Sequence, residues 1–341
     1  MTHQVLRTPD SAFTNLKDYP FAPNYLEVDG MRVHYVDEGD REARVIFLLH
    51  GQPSWSYLYR HMIPVLVKQG FRVIAPDMIG FGKSDKPINP EMHNYENHVK
   101  WMNQFVEQLN IRHAAAFMQD WGGMIGLRVL ARQPQWLDRL VVANTALAQM
   151  NRLEKFMVPK VLKLMVLAAG KPDLSTLINK IDYGNWAGYF RHQPEYELGE
   201  VIQALSTTTL DDEEKRAYDA PFPSQAFLAG PRRMPELVAE DLDQVNADWR
   251  RLKEWEKPVL TLFSDRDPFL AGRGYDVKFQ RNFIGAKDQP HRTTPDASHF
   301  LQEDQPQFLA SQMTDWLKST HFNSQELSLI HISEPTRRYE I

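Results

Sequence analysis

Three side chains in this sequence have the residue types and the chain order that a two-step hydrolysis needs. Asp120 stands just before a tryptophan and two glycines, Asp267 lies in an acidic turn, and His299 follows an alanine and a serine. An aspartate carboxylate is ionised at neutral pH, so it can attack a carbon that bears a leaving group without a base to activate it. The resulting ester can be opened by water when a histidine acts as general base and a second carboxylate orients the imidazole.

Taken singly, each of these residues has an ordinary structural explanation. An aspartate before two glycines is more often a turn or cap residue, and a lone histidine is more often structural. Their common placement favours the functional interpretation, since each follows a predicted strand. In an open α/β sheet, ligands bind beyond the carboxyl ends of the strands, where such loops meet.

The predicted strands are short apolar runs that alternate with helical patterns from residue 31 onward, which favours a mostly parallel sheet with helices on both faces. The first, residues 32–37, alternates polar with apolar residues and is predicted to be an antiparallel edge strand. A helix is predicted over residues 124–133 and a last helix over 306–318. The remaining predicted strands are residues 45–49, 73–75, 114–118, 140–143 and 259–263.

The strand–helix alternation stops after Asn144 and resumes at residue 259, with helical patterns and aromatic loops between. We therefore expect residues 1–144 to form the first part of an α/β core, 145–222 an inserted helical cap, and 223–320 the second part of the core. The last segment is residues 321–341, which from residue 323 onward have neither a helical nor a strand period, and part of this tail resembles a translated sequencing adapter. We expect it to be disordered and give it no function.

The composition is that of an ordinary globular protein, with 341 residues, 43% apolar residues and a net charge of −5. These values disfavour intrinsic disorder and a nucleic-acid-coating role. The absence of cysteine excludes a disulfide scaffold, a thiolate metal site and a cysteine nucleophile. We expect no secretory signal, no transmembrane segment and no membrane partner, and hence a cytoplasmic location.

The sequence resembles the haloalkane dehalogenases of the α/β-hydrolase superfamily, in particular the branch whose catalytic acid follows the later core strand. The resemblance covers about residues 5 to 318 and is weakest between 150 and 205. It implies the α/β-hydrolase fold with an eight-stranded sheet and an inserted cap, and a reaction that needs water and no cofactor or metal. The matching segments are residues 7–10, 19–21, 50–60, 76–77, 80–87, 119–123, 220–223 and 296–300.

The resemblance also implies a set of site residues. Asp120 would be the nucleophile, His299 the base and Asp267 its partner, while the backbone N–H groups of Gln52 and Trp121 would form the oxyanion hole. The halide would be bound by the indoles of Trp121 and Trp186, since an indole N–H only donates and suits an anion in an apolar pocket.

Two of the proposed halide contacts, Gln52 and Trp186, are not settled by the resemblance to the family. Gln52 stands where the family usually has glutamate or asparagine, and its amide could donate to the halide or hold the water. Trp186 is the only tryptophan between Asn144 and Pro221. The alternative is that Trp186 only packs within the cap.

The predicted activity is hydrolysis of small haloalkanes to an alcohol, a halide and a proton. We expect the enzyme to be a monomer, with a weak homo-oligomer as the alternative. One alternative keeps the same three residues and opens epoxides, which would require cap tyrosines facing Asp120. The candidates are Tyr183, Tyr189 and Tyr218. A further alternative is a non-catalytic ligand-binding protein on the same fold.

Overall fold

The computed structural model describes residues 4–319, and the strands within them form one large sheet and one small ribbon. The large sheet has eight strands in the order β10-β9-β8-β7-β4-β5-β3-β2, and β1 pairs with β6. In chain order the strands are β1 Val5–Leu6, β2 Asn24–Val28, β3 Met31–Glu38, β4 Val45–Leu49, β5 Arg72–Pro76, β6 Lys86–Pro87, β7 Ala114–Gln119, β8 Leu137–Ala143, β9 Val259–Ser264 and β10 Arg292–Thr294.

The six strands from β10 to β5 in this order run parallel, and β3 and β2 are antiparallel to their neighbours. This confirms the predicted mostly parallel, eight-stranded sheet. Strands β4 and β7 lie at its centre, where helices cover both faces of the sheet. This is why both strands are continuous apolar runs. The prediction that residues 32–37 form an edge strand was wrong: β3 pairs with β5 on one side and with the unpredicted β2 on the other.

Helices cover both faces of the sheet and also fill the segment between β8 and β9. The predicted last helix matches α13, whereas α3 begins at Asp120 and not at residue 124. The helices are α1 Met62–Lys68, α2 Tyr95–Gln108, α3 Asp120–Arg132, α4 Arg152–Ala169, α5 Leu174–Asn179, α6 Tyr183–His192, α7 Leu198–Ala204, α8 Asp212–Asp219, α9 Ala229–Arg233, α10 Leu242–Lys253, α11 Tyr275–Asn282, α12 Leu301–Asp304 and α13 Pro306–Ser319.

The sheet separates two buried apolar clusters. Along β4, Phe47 and Leu49 belong to the cluster under α2, α3 and α10, whereas Ile46 and Leu48 belong to the cluster that includes α1 and α13. This follows from the two-residue period of a strand, which sends successive side chains to opposite faces. The packing holds the carboxyl ends of β4, β7, β8 and β9 side by side.

Helices α4 to α8 lie between β8 and β9, in the segment where the cap is predicted. Side chains of α6, α7 and α8 join the apolar cluster on the α1 side of the sheet. The boundaries at residues 144 and 222 stay predictions, because helices continue beyond 222 as far as Lys253. The predicted disorder of residues 321–341 falls outside the described residues.

A buried arginine connects the cap helix α8 to the core. Arg60, which is 1% exposed, donates to both oxygens of Glu303, at 2.5 and 2.9 Å, and at 2.8 Å to Glu214 of α8. The hydroxyl of Tyr218, also in α8, donates to Glu303 as well. Burial alone would lower the pKa of Arg60, but these acidic neighbours outweigh it and raise that pKa, so the guanidinium stays charged.

Between residues 4 and 319, none of the helices combines the length and the apolar character that a bilayer crossing requires.

Candidate active site

Asp120 sits on a sharp turn between β7 and α3. Its φ of 51° lies in the left-handed region that non-glycine residues seldom adopt. The turn is held by hydrogen bonds on both sides: the Asp120 N–H donates to the carbonyl of Asn144 at 3.0 Å, and the Thr145 hydroxyl donates to the Asp120 carbonyl at 2.7 Å. A strained turn of this kind between a strand and a helix is the nucleophile elbow of α/β hydrolases.

Two glycines allow the backbone to approach this turn closely. A Cβ at Gly122 would lie 2.1 Å from the carbonyl oxygen of Leu49, so any side chain there would push α3 away from β4. A Cβ at Gly51 would lie 2.3 Å from Oδ1 of Asp120. The loop after β4 can therefore pass directly against the carboxylate.

The structure brings the three predicted polar residues together. Nδ1 of His299 lies 2.8 Å from Oδ2 of Asp267, and Nε2 of His299 lies 3.5 Å from Oδ2 of Asp120. The Asp267 carboxylate is buried, and its Oδ1 accepts backbone N–H groups of Phe269 at 2.7 Å and Leu270 at 3.2 Å. Asp267 thus has a partner for each oxygen, and its hydrogen bond to Nδ1 leaves Nε2 directed at Asp120.

The charge state of His299 depends on these two carboxylates. Burial by itself lowers the pKa of His299, but Asp267 and Asp120 together outweigh it and raise the pKa to about 10. The two carboxylates therefore favour the protonated form of His299. Removing the charge of either carboxylate must lower this pKa.

The backbone of Gln52 lies at the position expected for an oxyanion donor. Its N–H donates to Oδ1 of Asp120 at 2.8 Å. The Trp121 N–H lies in the first turn of α3, where backbone donors have no partner within the helix. The Gln52 side-chain amide donates to the carbonyl of Pro231 at 3.4 Å. One N–H of that amide makes no hydrogen bond within residues 4–319.

The two predicted halide-binding tryptophans are both buried, with 3% and 8% of their surface exposed for Trp121 and Trp186. The Trp121 ring packs edge-on against Tyr95, with ring centroids 5.3 Å apart. The Trp186 ring lies 5.5 Å from that of Phe269, which in turn lies 5.6 Å from the His299 ring. Neither indole N–H donates a hydrogen bond within the described part of the chain.

Three residues of the site had not been assigned a role from the sequence. The Asn144 side chain donates to the carbonyls of Ser298, at 2.9 Å, and His299, at 3.1 Å. Gln119 Nε2 also donates to the His299 carbonyl, at 3.1 Å, and Phe269 separates Trp186 from the imidazole. Asn144 and Gln119 could have been suspected, since both lie at strand ends beside the elbow, but Phe269 had no such signal.

The cap tyrosines on which the epoxide alternative depends do not hydrogen-bond to Asp120. Tyr183 donates to the carbonyl of Pro235 at 3.2 Å, and the Tyr189 hydroxyl accepts the Glu197 N–H at 3.4 Å. The Tyr218 hydroxyl donates its hydrogen bond to Glu303. The structure therefore gives no support to paired tyrosine acids at this site.

Outside this site, Asp18, His61 and Glu214 are the one cluster of potential metal ligands among residues 4–319. The Glu214 carboxylate is already paired with Arg60 at 2.8 Å and lies 3.9 Å from Lys17. These cations compensate its charge, which disfavours a metal ion there.

Known proteins resemble this chain in sequence and in fold. Residues 44–306 match the family model of the α/β-hydrolase fold. A haloalkane dehalogenase of Psychrobacter cryohalolentis is 40% identical over 324 residues, covering 92% of this chain and 98% of the relative. One of Mycolicibacterium paratuberculosis is 39% identical over 322 residues, with the same two coverages. The solved tetrameric haloalkane dehalogenase of Paraglaciecola agarilytica superposes with a TM-score of 0.74 at 28% identity, covering 94% of this chain and 99% of that one.

Proposed function

The chain belongs to the haloalkane dehalogenases of the α/β-hydrolase superfamily, and we propose that it converts small haloalkanes and water to an alcohol, a halide ion and a proton through an ester on Asp120. The observation that carries this proposal is the surroundings of the Asp120 carboxylate. One oxygen accepts the Gln52 N–H at 2.8 Å, and the other faces Nε2 of His299 at 3.5 Å.

The first step is substitution at the carbon that bears the halogen. Oδ1 is held by the Gln52 N–H, so Oδ2 is the oxygen that forms the new bond to carbon, while the carbon–halogen bond breaks and its electron pair leaves with the halide. No proton moves in this step, because the carboxylate is already ionised. The indoles of Trp121 and Trp186, together with the unpaired N–H of the Gln52 amide, are the proposed donors to the halide.

The second step is hydrolysis of the ester, and the first step prepares its base. Alkylation removes the negative charge of Asp120, so the pKa of His299 falls and the imidazolium can lose its proton. Neutral His299 then takes a proton from a water molecule that attacks the carboxyl carbon of Asp120. The oxyanion that forms on the former carboxylate oxygen is stabilised by the N–H groups of Gln52 and Trp121.

Collapse of the tetrahedral intermediate restores the enzyme. The bond between the carboxyl carbon and the alkyl oxygen breaks, and the alcohol leaves with the proton held by His299. The second proton of the water passes from the Asp120 carboxyl to Nε2 of His299 and restores the imidazolium, so the acid released in each turnover is the proton that the imidazolium lost after alkylation. Asp267 keeps Nδ1 protonated and stabilises the imidazolium throughout.

The experiment that tests this division of labour is His299→Gln with a panel of chloro-, bromo- and iodoalkanes. We expect one halide per enzyme molecule, no further turnover, and an alkyl adduct on Asp120 by intact mass and peptide mapping. His113→Gln is the matched control, because His113 is an exposed histidine paired with Asp138 at 3.1 Å, and should turn over normally. Sustained turnover by His299→Gln, or the absence of any adduct, would contradict the proposal.

Several expectations stay predictions: a monomeric state, a cytoplasmic location, and independence of any cofactor or metal. Light scattering tests the first, and activity after dialysis against a chelator tests the last. Incubation with styrene oxide tests the epoxide alternative, for which we expect no diol. A complete absence of adducts with every alkyl halide and epoxide would instead favour the non-catalytic alternative.

A further inference from the structure

Helix α4 has an exposed apolar face that the reaction does not use. Of its eighteen residues, only Val166 is buried. At 100° per residue the exposed apolar side chains occupy about half of the helix circumference. They are seven of the ten large hydrophobic side chains exposed in the described part of the chain: Leu153, Phe156, Met157, Val161, Leu164, Met165 and Leu167.

The attachment of α4 to the protein leaves this face outward. On the opposite side, Pro159, Leu162 and Val166 line a cavity between α4 and α6, and Lys163 lies at the edge between this cavity and the outward face. The start of the helix is fixed by a capping box, in which Asn151 and Glu154 each accept the other's backbone N–H. An isolated helix of this length is marginal in water, and a broad apolar face on a soluble protein marks a binding surface.

The charges around this face indicate what it binds. Arg152, Lys160, Lys163 and Lys171 have no carboxylate partner within residues 4–319, whereas Lys155 is paired with Asp243. The single acidic residue of α4, Glu154, is engaged in the capping box. Lysines beside an apolar face can extend their ammonium groups to a polar boundary while their stems stay in the apolar layer.

A second copy of the chain fits these charges poorly. A two-fold antiparallel pair of α4 helices would cross near the helix midpoint, at Lys160 and Val161. The Lys160 ammonium, 3.3 Å from the centroid of the Phe156 ring, lies on the apolar face itself. Such a pair would bring two ammonium groups together, whereas an anionic lipid surface would neutralise the Lys160 charge.

We propose that α4 lies in the interface of an anionic phospholipid bilayer, with its apolar face in the acyl boundary and Lys160 and Lys163 at the headgroups. This is the behaviour of an amphipathic helix with basic residues and a broad apolar face. It departs from the expectation that the protein has no membrane partner, and it is independent of the proposed reaction. The chain would be peripheral, since α4 lies along the surface and does not span.

The test is co-sedimentation of the full chain with vesicles of phosphatidylcholine alone, or of phosphatidylcholine and phosphatidylglycerol in equal amounts. We expect binding to the anionic vesicles that weakens as salt is raised. The double variant Lys160→Gln/Lys163→Gln should bind roughly 30-fold more weakly, because each cation near such a surface adds roughly a fivefold gain. Phe156→Gln/Leu164→Gln should lose binding as well.

The matched control is Ile284→Gln/Lys287→Gln, which removes an exposed apolar and an exposed basic side chain elsewhere on the surface. It should bind like the unaltered chain. Thermal melting should be nearly equal for all three variants, because every altered side chain is exposed. No binding to anionic vesicles, or binding that the two α4 variants leave unchanged, would overturn the proposal. So would a dimer in solution that Phe156→Gln/Leu164→Gln dissociates, since α4 would then be a contact between copies.

Discussion

The proposed coupling between Asp120 and His299 makes a prediction that needs no substrate. Asp120→Asn removes one carboxylate charge and leaves a side chain of the same shape, as alkylation would. At the 3.5 Å that separates Nε2 from Oδ2, the attraction between two unit charges is about 5 kcal/mol at an effective dielectric constant of 20. This corresponds to a change of roughly three-thousandfold in the acid dissociation constant of the imidazolium.

This figure is an upper limit, because the Asp120 side chain is 22% exposed and solvent screens part of its charge. We therefore expect the pKa of His299, raised to about 10 by Asp267 and Asp120 despite its burial, to fall in Asp120→Asn. The acid dissociation constant should rise by roughly a hundredfold to a thousandfold. The neutral imidazole would then be available near neutral pH.

The assay is NMR titration of the histidine ring signals in the unaltered chain and in Asp120→Asn, with the His299 signal assigned by its loss in His299→Gln. His113 is an internal control, because its partner is Asp138 and its ring signals should be the same in both proteins. If His299 titrated at the same pH in both proteins, the charge of Asp120 would not be raising the pKa of His299. The idea that alkylation releases the base would then be refuted.

Three further predictions concern the halide site, the loop contacts and the connection between cap and core. Trp121→Phe and Trp186→Phe should each weaken halide binding by roughly tenfold to a hundredfold in fluorescence titrations, because each removes a hydrogen bond to a charged group. The control Trp255→Phe should leave halide binding unchanged. Asn144→Ala should lower the free energy of unfolding by about 1–3 kcal/mol in urea titrations, because the carbonyls of Ser298 and His299 lose a donor. In single-turnover kinetics the same variant should slow ester hydrolysis more than alkylation. Equal slowing of the two steps would contradict this assignment. Arg60→Met should cost about 3–5 kcal/mol by the same titrations, since it leaves buried carboxylates without a cation, and a loss below 1 kcal/mol would contradict the charge assignment.

The central part of the fold was predictable because its signals are local. Continuous apolar runs such as β4 indicate strands that are covered on both faces, and the predicted bounds of that strand match the structure. Strand β2 was missed because it is half exposed and its side chains give no such run. The start of α3 was misplaced because Gly122 and Gly123 suggest a loop, whereas here they allow a helix to pack tightly.

The site was predictable only where the function of a residue follows from its own type and position. Asp120, Asp267 and His299 stand at strand ends in a chain order that indicates their grouping. Phe269 belongs to the site because its ring contacts the rings of Trp186 and His299. No periodic pattern in the sequence indicates these contacts. The direction of the Gln52 amide likewise depends on Pro231, a residue 179 positions away.

The contacts of Arg60 restrict how a substrate can reach Asp120. Lifting α8 away from the sheet would separate a buried guanidinium from Glu214 and remove the Tyr218 hydroxyl from Glu303. Breaking such buried pairs is costly. Helix α4, by contrast, buries a single side chain, so its displacement exposes little new apolar surface. We therefore expect substrate to enter and products to leave through movements on the α4 side of the cap, while α8 keeps its position.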